Sequence, residues 1–362
     1  MSDSNPLDLG DIIASDCTVE KGMNEISQRY SRHVLLSEVG AAGQARLREA
    51  RIAIVGCGAL GSAMASLLVR AGVGNLRIVD RDFVEASNLQ RQILFDELDA
   101  ESVLPKAIAA EKHLRKINSD VAVEGVIADL TSENAEELLR GHNIILDGTD
   151  NFETRFLIND VAAKNGTPWI YSSVVGMYGC WLPIFPGASA CLACLISSGE
   201  EKAAEETCDT VGVLGAAAVA VASFATAAAI RVMVAKFEAG DARLNSLNAW
   251  TGKQRSVRVE RNPDCRVCVK REFRYLEGEA QAQITMCGRD SVQIHERNRK
   301  IDLGALGRRL DAVANDVRQN DFLLRFRVAP YEVTLFSDGR AIIKGTRDPS
   351  VARSVYARYL GA

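Results

Sequence analysis

The sequence predicts an α/β protein built on an open, mostly parallel sheet that is covered by helices. Short β-branched runs alternate with helical segments along the first half of the chain, which is typical of this class. A glycine-rich turn joins the first run to a helix, and an acid ends the second run. Since a domain takes about 100–200 residues, the 362 residues leave room for one large domain and a smaller one.

The first elements form a strand–turn–helix–strand unit. Arg51–Val55 is predicted as a buried strand, Ser62–Arg70 as a helix and Asn75–Asp80 as a second strand. The segments that follow are predicted as helix, strand, helix, strand, helix and strand: Pro105–Ile117, Val121–Ile127, Ser132–Arg140, Asn143–Leu146, Asn151–Asn165 and Trp169–Val175. This alternation favours parallel strands with crossover helices.

The turn after the first strand has the pattern G-x-G-x-x-G, with glycines at Gly56, Gly58 and Gly61. Glycines let the backbone approach a phosphate, and the helix N-terminus supplies N–H donors, so a Rossmann-like nucleotide site is predicted. Asp80, at the tip of the second strand, suits a ribose hydroxyl. NAD, FAD, SAM and ATP all use variants of this unit, so the turn alone does not identify the nucleotide.

Polar residues near the carboxyl ends of the strands favour ATP. Asn88 and Arg91 follow the second strand, Lys106 opens the next helix, and Asp150 lies just beyond the fourth strand. Two cations and an acid that can hold Mg²⁺ suit the charge that develops on a triphosphate. Hydride transfer needs none of them, which disfavours the alternative of a nicotinamide-dependent oxidoreductase. A non-catalytic nucleotide-binding scaffold is the other alternative.

Five of the nine cysteines are candidates for a function. Cys191 and Cys194 form one C-x-x-C pair and Cys265 and Cys268 a second, and two such pairs predict a closed Cys₄ structural zinc site. Cys208 lies in a polar stretch just before an apolar helix. A thiol near a helix N-terminus has a lowered pKa and is a candidate nucleophile, although an incidental thiol remains an equal alternative.

The charge pattern sets further expectations. With 43 basic and 47 acidic residues, the chain lacks the basic footprint of a nucleic-acid-binding protein. Val213–Ile230 is uncharged over 18 residues, the lower edge of a membrane span, but its many alanines favour a helix buried between protein surfaces, such as a dimer interface. Met1–Gly22 is acidic and has no secretory pattern, so a cytoplasmic protein is expected.

The alternation of predicted strands and helices does not continue after Cys268. Tyr331–Phe336 and Arg340–Lys344 flank Asp338-Gly339 and predict a β-hairpin, and Ser350–Leu360 is predicted as a closing helix. Residues 270–362 carry 17 basic and 12 acidic side chains, a net charge of +5. A small α+β domain is therefore expected, and its charge would attract an acidic partner.

A set of motifs runs in order from about Arg29 to Cys268: RYSRH, GCGALGS, AGVGNLRIVD, SNLQRQ, PK, DGTDN and the two cysteine pairs. In these motifs the sequence resembles the E1-like ThiF/MoeB/HesA adenylyltransferases. The resemblance implies ATP-dependent adenylation of the C-terminal glycine of a ubiquitin-like sulfur-carrier protein of the MoaD or ThiS type. The acyl-adenylate would serve sulfur transfer in molybdopterin or thiamine biosynthesis, or in tRNA thiolation.

The resemblance also assigns roles to single residues. It implies a homodimer in which Arg32 reaches into the ATP site of the partner, a structural zinc on the four paired cysteines, and a loop cysteine at Cys208 that some members use covalently. The remaining roles are nucleotide contact for Gly58 and Gly61, ribose binding for Asp80, phosphate binding for Asn88, Arg91 and Lys106, and Mg²⁺ binding for Asp150.

The predicted organisation is an N-terminal tail over residues 1–22, an ATP-binding adenylation domain over 23–272 and a small α+β domain over 273–362. Several longer relatives carry a C-terminal rhodanese domain. The last segment is too short for one, and Cys287 comes too early in it. A separate sulfur donor, either a rhodanese or a cysteine desulfurase, is therefore expected.

Overall fold

The computed structural model describes residues 28–196, 211–235, 242–278, 285–286, 291–295, 301–311, 313–337 and 339–360. The candidate nucleophile Cys208 lies outside these residues, as do Cys287 and Asp338. Residues 1–22, the predicted tail, lie outside them as well.

Eight strands form the larger sheet. They are β1 (Arg51–Val55), β2 (Asn75–Asp80), β3 (Ala122–Ile127), β4 (Ile144–Asp147), β5 (Trp169–Val175), β6 (Tyr178–Ile184), β7 (Arg243–Asn248) and β8 (Gln254–Arg258). The spatial order is β3-β2-β1-β4-β5-β6-β7-β8. Every pair from β3 to β5 is parallel, which confirms the predicted parallel core. The last three pairs are antiparallel, and the sequence did not predict this extension.

Nine α-helices precede the C-terminal sheet in the described part of the chain: α1 (Ser31–Val34), α2 (Gly40–Glu49), α3 (Ala59–Ala71), α4 (Glu97–Glu101), α5 (Lys106–Ile117), α6 (Ala135–Leu139), α7 (Phe152–Asn165), α8 (Leu192–Leu195) and α9 (Gly215–Val234). Predicted helices and strands agree closely with these bounds. The predicted helix over Ser132–Arg140 is the least accurate, because only its central turn, α6, is helical.

Helix α9 is the apolar segment that the sequence singles out. One face, which includes Val221 and Ala225, is buried in the same core as β1 and β2. The opposite face is exposed and carries Phe224, whose ring stacks on Trp181 at a centroid distance of 4.6 Å. By length and composition α9 is also the one described helix that would suffice to cross a membrane. One face of α9 is thus buried within the chain, and burial of the other face against a second protein surface stays a prediction.

A second, smaller sheet follows. Its strands are β9 (Thr285–Met286), β10 (Ser291–His295), β11 (Asn315–Gln319), β12 (Leu323–Val328), β13 (Tyr331–Phe336) and β14 (Arg340–Lys344), and its helices are α10 (Leu303–Leu310) and α11 (Pro349–Leu360). The order is β11-β12-β13-β14-β10-β9, with all pairs antiparallel. The predicted hairpin is β13–β14, and the predicted α+β character is confirmed. We call residues 285–360 the C-terminal unit.

Candidate functional site

The glycine-rich turn follows β1 and leads into α3. Gly56 has a φ of +84°, and a Cβ there would lie 2.7 Å from the carbonyl oxygen of Gly148. A Cβ on Gly61 would lie 1.9 Å from the carbonyl oxygen of Gly56, so the first and third glycines are required by packing of the turn. Gly58 differs, because a Cβ there would have no neighbour nearer than 4.0 Å. The second glycine therefore leaves open space over the backbone, as a bound phosphate requires.

Asp80 ends β2 and lies beside this turn. One carboxyl oxygen accepts the N–H of Cys57, and the other accepts the N–H of Asp82 at 2.7 Å. Burial raises the pKa of Asp80, and the nearby Lys106 ammonium opposes that shift. Since each carboxylate oxygen has further lone pairs, Asp80 can still accept a ribose hydroxyl. The structure thus places Asp80 at the tip of β2 beside the glycine-rich turn, and its binding of a ribose stays a prediction.

Lys106 is the first residue of α5 and is almost fully buried, with 3% of its surface exposed. A cation at a helix N-terminus is opposed by the helix dipole, so it needs an anionic partner. That partner is Asp82, whose Oδ2 lies 3.1 Å from Lys106 Nζ and whose backbone carbonyl accepts the Lys106 N–H at 2.8 Å. Asp82 was not predicted as a site residue, although it stands two residues after Asp80.

Asn88 and Arg91 lie in the segment that follows. Asn88 is buried at the end of a 3₁₀ turn (Ala86–Asn88), where its Oδ1 accepts the N–H of Glu85 at 3.2 Å. Its Nδ2 has no hydrogen-bond acceptor among the described residues. An unsatisfied buried donor costs about 1–3 kcal/mol, and a phosphate oxygen would satisfy it. Arg91 is half-buried, and its Nη1 donates to the carbonyl of Ser87 at 2.8 Å.

Asp150 is exposed in the turn between β4 and α7. The buried Asp147 stabilises this turn. Its Oδ1 accepts the Thr149 N–H at 2.9 Å, and its Oδ2 lies 3.2 Å from Arg155 Nε. Arg155 Nη2 donates in turn to the carbonyl of Thr149 at 2.8 Å. Burial raises the pKa of Asp147, and the Arg155 guanidinium opposes that shift. This buried ion pair holds the backbone that presents Asp150.

Arg81 links Asp150 to the rest of the site. Its Nη1 donates to both carboxylate oxygens of Asp129, at 2.9 and 3.0 Å. Burial alone would lower the pKa of Arg81, but the charges of Asp129, Asp82 and Asp150 raise it above the usual value. The loops after β2, β3 and β4 therefore share one electrostatic cluster. Neither Arg81 nor Asp129 was predicted, because nothing in the sequence distinguishes them from surface charges.

Arg32 lies apart from this cluster. It is exposed on α1 and forms no hydrogen bond or ion pair with any residue that the structure describes. The neighbouring His33 has a structural contact, because its Nδ1 lies 2.7 Å from Gln44 Oε1. Within a single chain, the structure does not bring Arg32 to the predicted ATP site.

The four paired cysteines converge, as predicted. Cys191 Sγ lies 3.9 Å from Cys194 Sγ and 3.6 Å from Cys265 Sγ, and Cys194 Sγ lies 3.5 Å from Cys268 Sγ. A tetrahedron with Zn–S bonds of about 2.3 Å has S–S edges of about 3.8 Å, so the donor set fits zinc. The hydrogen bond from Cys191 lowers the pKa of Cys194 to about 4, whereas that hydrogen bond raises the pKa of Cys191 and burial raises the pKa of Cys268. A metal at this site would therefore have to displace protons from the remaining thiols.

Comparisons with known proteins agree with this architecture. Residues 30–267 match the ThiF family. The chain is 42% identical over 337 residues to the sulfur carrier protein ThiS adenylyltransferase of Bacillus subtilis, a match that covers 92% of this chain and 99% of the relative. It is 37% identical over 240 residues to the SAMP-activating enzyme E1 of Haloferax volcanii, covering 66% of this chain and 88% of the relative.

Among solved structures, Escherichia coli MccB in complex with a MccA variant superposes with a TM-score of 0.59. The match covers 67% of this chain and 74% of that chain, at 21% sequence identity. At this identity the likeness supports the fold alone.

Proposed function

This chain belongs to the ThiF family, and from that premise we propose that it adenylates the C-terminal glycine of a ubiquitin-like sulfur-carrier protein with ATP. It is a nucleotidyltransferase, as its relatives are named. The observation that supports this function most is the match to the ThiS adenylyltransferase of B. subtilis over 92% of the chain. Because that match includes the C-terminal unit and the H. volcanii match covers only 66%, we favour a ThiS-type carrier.

The reaction joins two anions. A carboxylate oxygen of the carrier glycine forms a bond to the α-phosphorus, and the bond from that phosphorus to the pyrophosphate oxygen breaks. Repulsion between the carboxylate and the triphosphate is the main obstacle, and preorganised cations are commonly worth a few kcal/mol each. We assign this role to Lys106 and Arg91, with Asn88 donating to a phosphate oxygen.

The other parts of the site bind and orient the nucleotide. Gly58 and Gly61 carry the backbone over which the phosphates lie, with Gly56 setting the turn, and Asp80 accepts the ribose hydroxyls. Asp150 would hold a Mg²⁺ ion, which supplies additional positive charge to the triphosphate. The set Cys191, Cys194, Cys265 and Cys268 would hold a structural zinc that takes no part in the chemistry. Cys208 remains the predicted nucleophile for any covalent step.

A homodimer in the cytoplasm is part of the proposal. Arg32 forms no hydrogen bond or ion pair with the described residues of its own chain, and Leu35 and Leu36 beside it are exposed, Leu35 by 74%. The exposed face of α9 around Phe224 is apolar as well. Association of two chains would cover such surfaces and would bring Arg32 to the ATP site of the partner. The sulfur donor would be a separate protein.

Carrier-dependent exchange of labelled pyrophosphate into ATP tests this function. We expect exchange only when a carrier that ends in Gly-Gly is present, and we expect Asp150→Ala to reduce it by at least about a hundredfold. Asp120→Ala is the matched control. This exposed acid precedes the amino end of β3, whereas Asp150 follows the carboxyl end of β4, so the two acids lie at opposite ends of the parallel strands.

Three results would contradict the proposal. Near-normal exchange by a folded Asp150→Ala variant would remove the Mg²⁺ assignment. Carrier binding without any exchange by the wild-type protein would favour a non-catalytic scaffold. Nicotinamide binding in place of ATP binding would favour an oxidoreductase.

A further inference from the structure

The C-terminal unit packs directly against the segments that carry Lys106 and its partner. Phe83 and Val103 share one buried cluster with Leu323 and Phe336. The guanidinium of Arg325 lies 5.3 Å from the centre of the Phe83 ring. Phe83 also pairs with Pro105 in an isolated antiparallel bridge. The C-terminal unit therefore contacts both sides of the backbone that places Lys106.

Val103 has an unusual conformation. Its φ is +51°, and a β-branched residue in the left-handed region is an outlier that costs about 1–2 kcal/mol. The residue follows the C-cap of α4, Ser102, in the position where helices usually have glycine, and Leu104 donates its N–H back to the carbonyl of Asp99 at 3.0 Å. Three residues later α5 begins with Lys106, so the conformation of Val103 sets where α5 begins.

Asn320 of the C-terminal unit binds this turn. Its Nδ2 donates to the carbonyl of Ser102 at 3.0 Å and to that of Val103 at 3.1 Å. Its Oδ1 accepts the N–H groups of Phe322 and Leu323, both at 2.9 Å. These donors fix the orientation of the amide, since only the oxygen can accept them. One side chain thus joins the strained turn to the start of β12.

Two further contacts join the C-terminal unit to the loops of the candidate nucleotide site. Gln293 Nε2 donates to Asp129 Oδ2 at 3.1 Å, and Asp129 is the carboxylate that binds Arg81. Lys344 Nζ lies 3.5 Å from Glu85 Oε1, in the segment between Asp82 and Asn88. The C-terminal unit therefore contacts the loops that follow β2 and β3 as well as the turn before α5.

We propose that Asn320 is a positioning residue of the nucleotide site. By holding Val103 in its left-handed conformation, Asn320 sets the first turn of α5 and with it the place of Lys106 Nζ between Asp82 and the triphosphate. The inference rests on the proposed function, because ATP is the ligand that Lys106 would meet. It makes the C-terminal unit a part of the adenylation site.

Two quantities test this proposal on the whole chain. One is the affinity for ATP, measured by titration calorimetry, and the other is the melting temperature of the same variant. Asn320→Ser keeps a neutral acceptor for its own turn but is too short to bridge both carbonyls. We expect it to weaken ATP binding about tenfold. Tyr356→Phe is the control, because it removes a buried hydrogen bond to the carbonyl of Gly339 within the C-terminal unit. It should lower the melting temperature and leave ATP affinity within about twofold of wild type.

A second measurement shows whether Asn320 acts through Lys106. In a Lys106→Ala background, Asn320→Ser should weaken ATP binding no further, since the group that it positions is gone. Wild-type affinity in Asn320→Ser, or a loss of equal size in the Lys106→Ala background, would overturn the inference. Failure of the wild-type chain to bind ATP would instead contradict the proposed function.

Discussion

Asp160 is a carboxyl group that α7 places in the protein interior with no exposed surface. Its Oδ2 accepts the N–H groups of Tyr275 and Leu276, at 2.9 and 3.4 Å, while its Oδ1 has no hydrogen-bond partner in the described part of the chain. Burial raises the pKa of Asp160 to about 6, against the opposing effect of these backbone hydrogen bonds. The group therefore makes stability depend on pH.

The sign of this dependence follows from the direction of the shift. The folded state binds the Asp160 proton more tightly than the unfolded state, so its contribution to stability is present at low pH and is lost as pH rises from about 4 to about 6. Asp160→Asn keeps the acceptor and removes the titration. We therefore expect the difference in unfolding free energy between this variant and wild type to shift in favour of the variant by about 2–3 kcal/mol as pH rises across this range. Denaturant unfolding at several pH values measures it, and a constant difference would contradict the pKa assignment.

At this scale, the predictable residues are those tied to a local pattern. Gly56 and Gly61 could be predicted because both belong to the glycine pattern of the turn. The structure gives the reason for that pattern, since a Cβ at either position would collide with nearby backbone. Arg155 could not be predicted. It stands within a helix, where arginine is ordinarily solvated, and only the tertiary fold places Asp147 within 3.2 Å of it.

The zinc-binding segments show how elements distant in sequence are joined. Cys191 caps the N-terminus of α8 and Cys194 lies within it, and the turns after β8 carry the other pair. Both are attached to α7. The Asn159 Oδ1 accepts the N–H of Leu192 at 3.0 Å, and Arg271 Nη1 donates to the carbonyl of Ala163 at 2.8 Å. The metal would complete a cross-link between segments that already lie on one helix.

Metal analysis of protein purified without chelator should find about one zinc per chain. Cys268→Ser should lower that content and reduce the melting temperature by more than about 5 °C, because structural zinc contributes directly to folding. Cys180→Ser is the matched control, since Cys180 lies on β6 outside the cysteine cluster. Equal zinc content in the two variants would contradict the site.

Among the elements of the larger sheet, the antiparallel strands β6, β7 and β8 are the ones that the sequence did not predict. Strand β6 contains Pro183, and proline within a run argues against a strand. Every residue of β8 is exposed, so no alternation of apolar and polar residues marks it. The central parallel strands β1 and β4, by contrast, are buried at every position except Arg51 and appear as short apolar runs.

At the scale of the whole molecule, the proposed active site takes residues from two chains. Arg32 lies away from the cluster of Lys106, Asp82 and Asp150 in its own chain. Such a residue is predictable from its motif alone, because the ligand that it would reach belongs to a second chain. The proposed homodimer would supply the missing contact.

Co-expression of two inactive variants tests this arrangement. Arg32→Ala and Asp150→Ala should each be inactive alone. In a mixed dimer, one site would combine the intact Arg32 of one chain with the intact Asp150 of the other, so a random mixture should recover about a quarter of wild-type exchange. No recovery would mean that Arg32 acts within its own chain or that the chains do not associate, and size-exclusion chromatography separates these two cases.

The strand order carries a consequence for how this molecule can change. From β1 the chain winds outward through β2 to β3 and then returns to β4 on the other side of β1. Crossovers that leave in opposite directions open a crevice at the carboxyl ends of the two central strands, and there Gly56 meets Gly148. Because winding alone creates this crevice, the loops around it can be exchanged without rebuilding the scaffold. A change of carrier would then require only new loops around the same crevice.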